Sequence, residues 1–171
     1  MARIVKSGLI QLSLAKTEGE GTIPEIMEAM LQKHIPYIEE AGRQGVQILC
    51  FQEIFNTPYF CPGQDSAWYA SAETVPGPTT ERMQVYAKKY NMVIVVPVYE
   101  KEQSGVYYNT AAVIDADGTY LGKYRKNHIP QTGGFWEKFF FKPGNLGYPV
   151  FQTKFRAVNK TVERVTRKDR Q

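Results

Sequence analysis

The segment KYRKNHIPQTGGFWEKFFFKPGN, residues 123–145, sets ionisable side chains among aromatic ones. Lys126 lies close to an arginine and a histidine, and eleven residues later Glu137 follows a tryptophan and precedes three consecutive phenylalanines. A carboxylate in apolar surroundings needs a charged partner, and Lys126 is within reach across a glycine-containing loop. A lysine and a carboxylate can polarise a carbonyl and move a proton, but neither is a good nucleophile here. The segment predicts either the supporting part of a catalytic site or a purely structural ion pair.

A third ionisable residue, Glu53, ends the apolar run VQILCFQE. This run has the composition of a buried strand, and open α/β sheets place their sites at the carboxyl ends of such strands. Glu53 is therefore a candidate general base. The alternative, a carboxylate that caps backbone N–H groups of the following loop, is equally open. For Lys126, the alternative to stabilising an oxyanion is a solvated basic strand end, which a bare KYRK favours.

The weaker candidates for substrate contacts are His128 and Cys61. His128 is a candidate proton carrier, although a single histidine is more often a hydrogen-bonded structural residue. Cys61, in YFCPG, is predicted to lie in an accessible loop, whereas Cys50 lies in an apolar run and is predicted to be a buried small residue. Two cysteines and two histidines without close spacing predict neither a zinc site nor a disulfide scaffold.

Apolar runs and turn residues predict the elements that must position these groups. The predicted strands are RIVKSGLIQL, VQILCFQE and MVIVVPVYE. The predicted helices are GTIPEIMEAMLQKHIPYIEEAGRQG, which Pro36 should kink or shorten, and TTERMQVYAKKYN. VYYNTAAVID, the turn DADG and TYLGKYRK predict a hairpin, residues 127–147 a loop, and YPVFQTKF a final short strand. Strands and helices that alternate before a hairpin favour an α/β fold with a mixed sheet.

The charge of the chain is unevenly distributed. The formal net charge is +4, and the last sixteen residues, RAVNKTVERVTRKDRQ, hold six basic and two acidic side chains, so the preceding chain is neutral. A neutral body argues against a nucleic-acid partner. No apolar run approaches the ~20 residues that a membrane helix needs, and MARIVKSGLIQL has no signal-peptide pattern. These features predict a cytoplasmic protein with no nucleic-acid or membrane partner.

Taken together, CFQE at a strand end, YRKNHIP and FWEKFFFKPGNLGYPVFQTKF resemble the nitrilase, or carbon–nitrogen hydrolase, superfamily. The similarity runs from about residue 3 to Phe155 and is greatest to the N-carbamoyl amidohydrolases, the β-ureidopropionases and N-carbamoylputrescine amidases. The resemblance implies the N-terminal part of an α-β-β-α sandwich with a mixed sheet. It also implies hydrolysis of small N-carbamoyl amines, N-carbamoyl amino acids or linear amides, no metal or organic cofactor, and assembly into oligomers.

The resemblance also assigns roles to the candidate residues. Enzymes of this family use a Glu–Lys–Cys triad together with a second, supporting glutamate. By motif, the first glutamate falls on Glu53, the lysine on Lys126 and the supporting glutamate on Glu137. In that chemistry the glutamate takes the thiol proton, the thiolate attacks the carbamoyl carbon, the lysine stabilises the oxyanion, and water hydrolyses the thioester.

The sequence departs from the family pattern after Phe155. In the family a cysteine follows soon after the segment that PVFQTKF resembles, but here residues 156–171 lack the family pattern and no cysteine follows Cys61. We therefore expect a partial, incomplete hydrolase domain at 1–155, a disordered basic tail at 156–171 and no nucleophile in this chain. A frameshift, an alternative transcript or a truncated gene would produce this pattern.

Two functional expectations follow from the missing cysteine. The chain alone is expected to lack amidohydrolase activity. As an alternative function, it is a non-catalytic fragment that associates with a full-length subunit through the apolar sheet face that half a sandwich leaves uncovered. Cys61 could in principle replace the missing nucleophile, but the sequence favours a thiol that lines the pocket.

Overall fold

A mixed five-stranded sheet forms the centre of this computed structural model, which describes residues 4–155 and 157–159. Its strands are β1 (Ser7–Ile10), β2 (Ile48–Phe51), β3 (Val93–Gln103), β4 (Val106–Ile114) and β5 (Tyr120–Arg125), and they lie side by side in chain order. The first three strands are parallel, and β3, β4 and β5 are antiparallel neighbours. The predicted α/β fold with a mixed sheet is confirmed, and so is the predicted hairpin.

The remaining elements are three α-helices, a 3-10 helix and a small hairpin. They are α1 (Ile23–Arg43), the 3-10 helix (Ser66–Ser71), α2 (Pro78–Tyr90), α3 (Glu137–Phe140), β6 (Val150–Gln152) and β7 (Ala157–Asn159). Strands β6 and β7 pair in a second, two-stranded sheet. Residues 127–147 were predicted to be loop, and α3 corrects that prediction. The strand β7 falls in the predicted tail, most of which lies outside the described residues, and the boundary at 155 stays a prediction.

The first helix begins at a capping box and continues through a proline. The Glu25 carboxylate accepts hydrogen bonds from both the backbone N–H and the hydroxyl of Thr22, at 2.8 and 2.9 Å. The Thr22 N–H, which has no partner within the helix, is thereby satisfied. The predicted shortening at Pro36 is wrong, because α1 extends to Arg43. A proline inside a helix costs about 3 kcal/mol, and the buried face on both sides of it, Ile26, Met30, Leu31 and Ile38, offsets that cost.

The sheet buries its two faces unequally. One face packs against α1 and α2 in a continuous apolar core that includes Leu49, Ile94 and Ile114. Alternate residues point to the other face, where Val93 and Val113 pack against Phe151 and residues near it. Phe151 and its neighbours do not cover β1. Leu9, which pairs with Cys50 of β2, is 71% exposed. The second face is therefore apolar and open at the β1 edge.

No helix within the described ranges is long and apolar enough to cross a membrane. A separate aromatic cluster, which includes Phe60, Trp68, Tyr99 and Phe140, packs beside the ends of β2 and β3. It supports the loops that carry the candidate catalytic residues.

The fold predicts a pH dependence of stability through His34. This side chain is fully buried on α1, its Nδ1 lies 2.8 Å from the carbonyl oxygen of Met30, and its ring packs edge-on against Phe51 and Phe55. Burial lowers the pKa of His34 below its usual 6.5, so below that pH the unfolded chain binds more protons than the folded one. We expect the free energy of unfolding to fall as pH drops below 6.5, by at most about 1.4 kcal/mol per pH unit from this group.

Urea denaturation at pH 7 and pH 5 measures this effect. The variant His34→Gln, which is neutral at both pH values, should lose part of the pH dependence. Equal pH dependence in the His34→Gln variant and the parent chain would contradict the assignment.

Candidate active site

Three chain segments bring the predicted residues Glu53, Lys126 and Glu137 together. Glu53 follows β2, Lys126 follows β5, and Glu137 begins α3. The Nζ atom of Lys126 lies 3.1 Å from Glu53 Oε1 and 2.7 Å from Glu137 Oε2. The ammonium therefore sits between two carboxylates, which is the arrangement that a buried lysine requires.

The position of Lys126 is set by its neighbours on β5. Arg125 is buried and makes two hydrogen bonds to the Glu100 carboxylate, at 3.0 and 2.6 Å. Because side chains alternate along a strand, this arginine points away from its neighbour. The backbone N–H of Lys126 donates to the Asn109 carbonyl at 2.9 Å, and its carbonyl accepts from Gly144 at 2.8 Å. A Cβ at Gly144 would lie 2.2 Å from the Arg125 carbonyl oxygen, so this close contact requires glycine.

Glu137 is held from both sides. The Tyr59 hydroxyl donates to Glu137 Oε1 at 2.8 Å, and the backbone N–H of Trp136 donates to the Cys61 carbonyl at 2.9 Å. Both oxygens of the Glu137 carboxylate therefore have a donor, and the side chain is only 3% exposed. The Glu137 carboxylate is therefore fixed to Lys126 and Tyr59 and has almost no contact with solvent.

Glu53 is held differently. Its Oε1 accepts from Asn109 Nδ2 at 2.5 Å and from Lys126 Nζ at 3.1 Å, and within the described residues its Oε2 accepts no hydrogen bond. The side chain is 33% exposed. The next residue, Ile54, has φ of +40°, which is unusual for a β-branched residue. Strained backbone of this kind is often found near functional sites. Of the two carboxylates, Glu53 is therefore the one with an oxygen open to a further hydrogen-bond donor within the described residues.

The electrostatics keep the lysine charged. Burial alone would lower the pKa of the Lys126 ammonium, but Glu53 and Glu137 outweigh burial and hold that pKa above its usual value. Burial, followed by the hydrogen bond to Glu137, raises the pKa of the Tyr59 phenol well above its usual value. At neutral pH, Lys126 is an ammonium and Tyr59 a phenol, so both act as hydrogen-bond donors.

The three residues face a cavity of about 530 Å³. It is lined by Glu53, Tyr59, Lys126, Pro130, Thr132, Phe135 and Glu137. This size suits a small ligand. Among the described residues, no group of three or more histidine, cysteine or acidic side chains could hold a metal ion.

The two weaker candidates lie outside this lining. Cys61 was predicted to be accessible, but its exposure is 0%, because it packs in the aromatic cluster below the cavity. Burial, with smaller contributions from Glu137 and Glu53, raises the pKa of its thiol to about 12. His128 is exposed and lines a neighbouring cavity of about 430 Å³, which shares only Pro130 with the first. Contacts of either residue with a substrate stay a prediction.

Sequence reasoning missed Tyr59 and Asn109. Besides Lys126, Tyr59 donates a hydrogen bond to Glu137, and Asn109 donates one to Glu53. Asn109 carries a weak sequence signal, because asparagine is depleted in strand interiors and this one lies in the middle of β4. Tyr59 carries none that separates it from the other aromatic residues of its loop.

Comparisons of the sequence with a family profile and with individual proteins agree on one family. The sequence profile described as carbon–nitrogen hydrolase matches residues 19–161. The chain is 41% identical to a β-ureidopropionase of Arabidopsis thaliana over 155 residues, which cover 90% of this chain and 38% of the relative. It is 44% identical to an N-carbamoylputrescine amidase of Solanum lycopersicum over 122 residues, 71% of this chain and 40% of the relative. The chain thus spans about two fifths of these relatives.

Solved structures agree with the sequence comparison. A carbon–nitrogen hydrolase from Helicobacter pylori G27 aligns with a TM-score of 0.76 and 27% identity, over 88% of this chain and 48% of that one. Saccharomyces cerevisiae Nit3, a member of branch 10 of the nitrilase superfamily, shares the fold with a TM-score of 0.70 at 24% identity, over 90% of this chain and 53% of that one. This chain therefore has the fold of these two structures. The chain belongs to the carbon–nitrogen hydrolase family.

The buried state of Cys61 predicts its reactivity. With a thiol pKa of about 12, only about one molecule in ten thousand carries the thiolate at pH 8, and access of a reagent is blocked. We expect iodoacetamide at pH 8 to modify the partly exposed Cys50 before Cys61, and to modify Cys61 only after unfolding in guanidinium chloride. Peptide mapping by mass spectrometry measures both sites. A covalent adduct on Cys61 during incubation of the folded chain with a carbamoyl compound would show that this thiol is a nucleophile.

Proposed function

We propose that this chain carries the proton-transfer and oxyanion-binding groups of an amidohydrolase that acts on N-carbamoyl amines or N-carbamoyl amino acids. The observation that supports this most directly is the arrangement around Lys126. One ammonium contacts two carboxylates, and one of these, Glu53, lines a cavity for a small ligand and has an oxygen without a donor within the described residues. The named activities of the relatives from Arabidopsis thaliana and Solanum lycopersicum supply the substrate class.

In the proposed reaction each residue has one task. Glu53 accepts the proton of a cysteine thiol through its free oxygen, and the thiolate attacks the carbamoyl carbon. Lys126 donates a hydrogen bond to the oxyanion of the tetrahedral intermediate. Glu53 returns the proton to the departing nitrogen, and water then hydrolyses the thioester with Glu53 again as the base. Glu137 and Tyr59 keep the lysine in place without proton transfer.

The thiol for this reaction is proposed to come from a segment that this sequence does not include. The sequence has two cysteines, Cys50 and Cys61, and neither lines the cavity. The chain by itself is therefore proposed to be inactive, and a complementary segment that places a thiol at the cavity would complete the site. As in the family pattern, the reaction needs no metal or organic cofactor.

An ammonia-release assay tests the proposed function. The chain alone should release no more ammonia from N-carbamoyl-β-alanine or N-carbamoylputrescine than its Glu53→Ala variant. When it is co-expressed with the part of the Solanum lycopersicum relative that this chain does not cover, release should appear. It should then fall by about 10² or more in Glu53→Gln, since general acid–base catalysis contributes 10²–10⁴-fold.

The control is the Val85→Ala variant, at a 64% exposed residue on α2 that does not line the cavity, and this variant should retain the activity of the complemented chain. Ammonia release by the chain alone would contradict the need for an external thiol. Full activity of the complemented Lys126→Met variant would contradict the role given to the ammonium.

A second candidate function is association with a full-length subunit, and the open sheet face supports it. Leu9 is 71% exposed and Ile4 is 92% exposed, and both lie at the β1 end of the sheet. The strand β1 is also an edge of the sheet within the described residues, so its backbone can pair with another strand. Apolar surface next to an open edge is a common basis for assembly of identical or related chains.

Co-expression followed by size-exclusion chromatography tests this candidate. The chain should co-elute with the full-length β-ureidopropionase of Arabidopsis thaliana, and Leu9→Glu should abolish co-elution because it places a charge in the contact. Val85→Glu, an equally charged change at a 64% exposed residue on α2, should leave co-elution unchanged. Separate elution of the parent chain, or equal behaviour of the two variants, would exclude association through this face.

A further inference from the structure

Asn109 contacts both Glu53, the proposed base, and Lys126, the proposed oxyanion donor. It lies in the middle of β4, opposite Tyr99 on β3, and is 5% exposed. Its side-chain Nδ2 donates to Glu53 Oε1 at 2.5 Å. Its backbone carbonyl accepts from the backbone N–H of Lys126 at 2.9 Å. One residue on an interior strand of the sheet is thus hydrogen-bonded to the side chain of Glu53 and to the main chain of Lys126.

The hydrogen bond from Asn109 determines which oxygen of Glu53 is free. Oε1 accepts the hydrogen bonds from both Asn109 and Lys126, so Oε2 has no donor among the described residues. The Glu53 side chain is partly exposed and follows the end of a strand, so without a second contact it could turn towards solvent. Two donors at one oxygen fix the carboxylate plane, because they allow only one orientation that keeps both bonds.

We propose that Asn109 is a positioning residue that orients Glu53 so that Oε2 faces the cavity and Oε1 stays on Lys126. This inference rests on the proposed function and adds a residue to it. Asn109 does not line the cavity and is not expected to contact the substrate. It acts on the reaction through Glu53, as Tyr59 acts on Lys126 through Glu137.

A purely structural role for the amide makes a different prediction. The chain contains a comparable amide–carboxylate pair, in which Asn56 Nδ2 donates to Glu73 Oε1 at 3.3 Å, and neither residue of that pair lines the cavity. If Asn109 served only to satisfy a buried amide, its removal would lower stability as removal of Asn56 does, and the charges around Lys126 would not change. If Asn109 positions Glu53, its removal also moves the Glu53 carboxylate and so changes the electrostatic interaction of that carboxylate with Lys126.

Titration of Lys126 in the intact chain distinguishes these roles. Glu53 contributes to the raised pKa of Lys126, so the lysine reports the position of that carboxylate. The measurement is the pH dependence of the Lys126 side-chain carbon resonances by NMR, with thermal unfolding as a check of the fold. The variants are Asn109→Leu, which has a similar shape and no donor, Asn109→Asp, which replaces the donor by a carboxylate, and the matched control Asn56→Leu.

Positioning predicts opposite outcomes for the two Asn109 variants. In Asn109→Leu, Glu53 turns away and the Lys126 titration midpoint should fall by about half a unit or more, since the attraction of a nearby carboxylate is lost. In Asn109→Asp, the new carboxylate keeps the midpoint at or above that of the parent chain. Asn56→Leu should not move it. In a Glu53→Gln background, Asn109→Leu should have no further effect.

An unchanged or raised midpoint in Asn109→Leu would overturn the inference, and so would an equal fall in Asn109→Leu and Asn56→Leu. If Asn109→Leu does not fold, a lowered midpoint in Asn109→Asp would overturn it instead. The titration uses the chain without any substrate or added thiol. Failure of the ammonia-release assay would therefore contradict the proposed function alone, whereas an unmoved Lys126 titration would contradict the role of Asn109 whatever that assay shows.

Discussion

The ammonium of Lys126 is the charge on which the arrangement of the site depends. It is mostly buried, and a buried cation is tolerated only when carboxylates pair with it. Two carboxylates around one cation leave an excess of negative charge. Tyr59 stabilises it by donating to the Glu137 oxygen that does not contact Lys126, and Asn109 by donating to the Glu53 oxygen that does. The end of β2, the end of β5 and the start of α3 are therefore held together by one set of interactions. Loss of the Lys126 ammonium would leave both carboxylates without their cation, one of them almost fully buried.

A second buried ion pair supports the first from the other side of β5. Arg125 and Glu100 are both nearly inaccessible, and the guanidinium also stacks on the Tyr108 ring at 3.8 Å. Consecutive residues on a strand point to opposite sides, so Arg125 is fixed in the body of the protein while Lys126 reaches the cavity. Removal of one partner from a buried ion pair costs about 3–5 kcal/mol. The stability of the sheet and the position of the lysine are thus coupled through adjacent residues.

The two glutamates illustrate how environment separates groups of the same chemical type. Glu137 has a donor on each oxygen and almost no exposure, whereas Glu53 has both donors on one oxygen and remains partly exposed. Glu137 is thus fixed to Lys126 and Tyr59, whereas Glu53 keeps one oxygen without a donor among the described residues. In the proposed reaction this division also explains why the thiol must approach from the cavity side of Glu53. Neither Cys50 nor Cys61 does so.

The sequence alone determined the strands, the hairpin and the family, because apolar runs and the turn DADG act locally and the three motifs are specific. It also predicted the pairing of Lys126 with Glu137, since a carboxylate among aromatic residues requires a partner. The burial of Cys61 and the continuation of α1 through Pro36 depend on packing between distant segments, and the sequence did not predict them. Only the tertiary structure placed Tyr59 on Glu137, 78 residues away, and Asn109 on Glu53, 56 residues away. Contacts at such separations arise from the packing of the whole sheet, which no local pattern encodes.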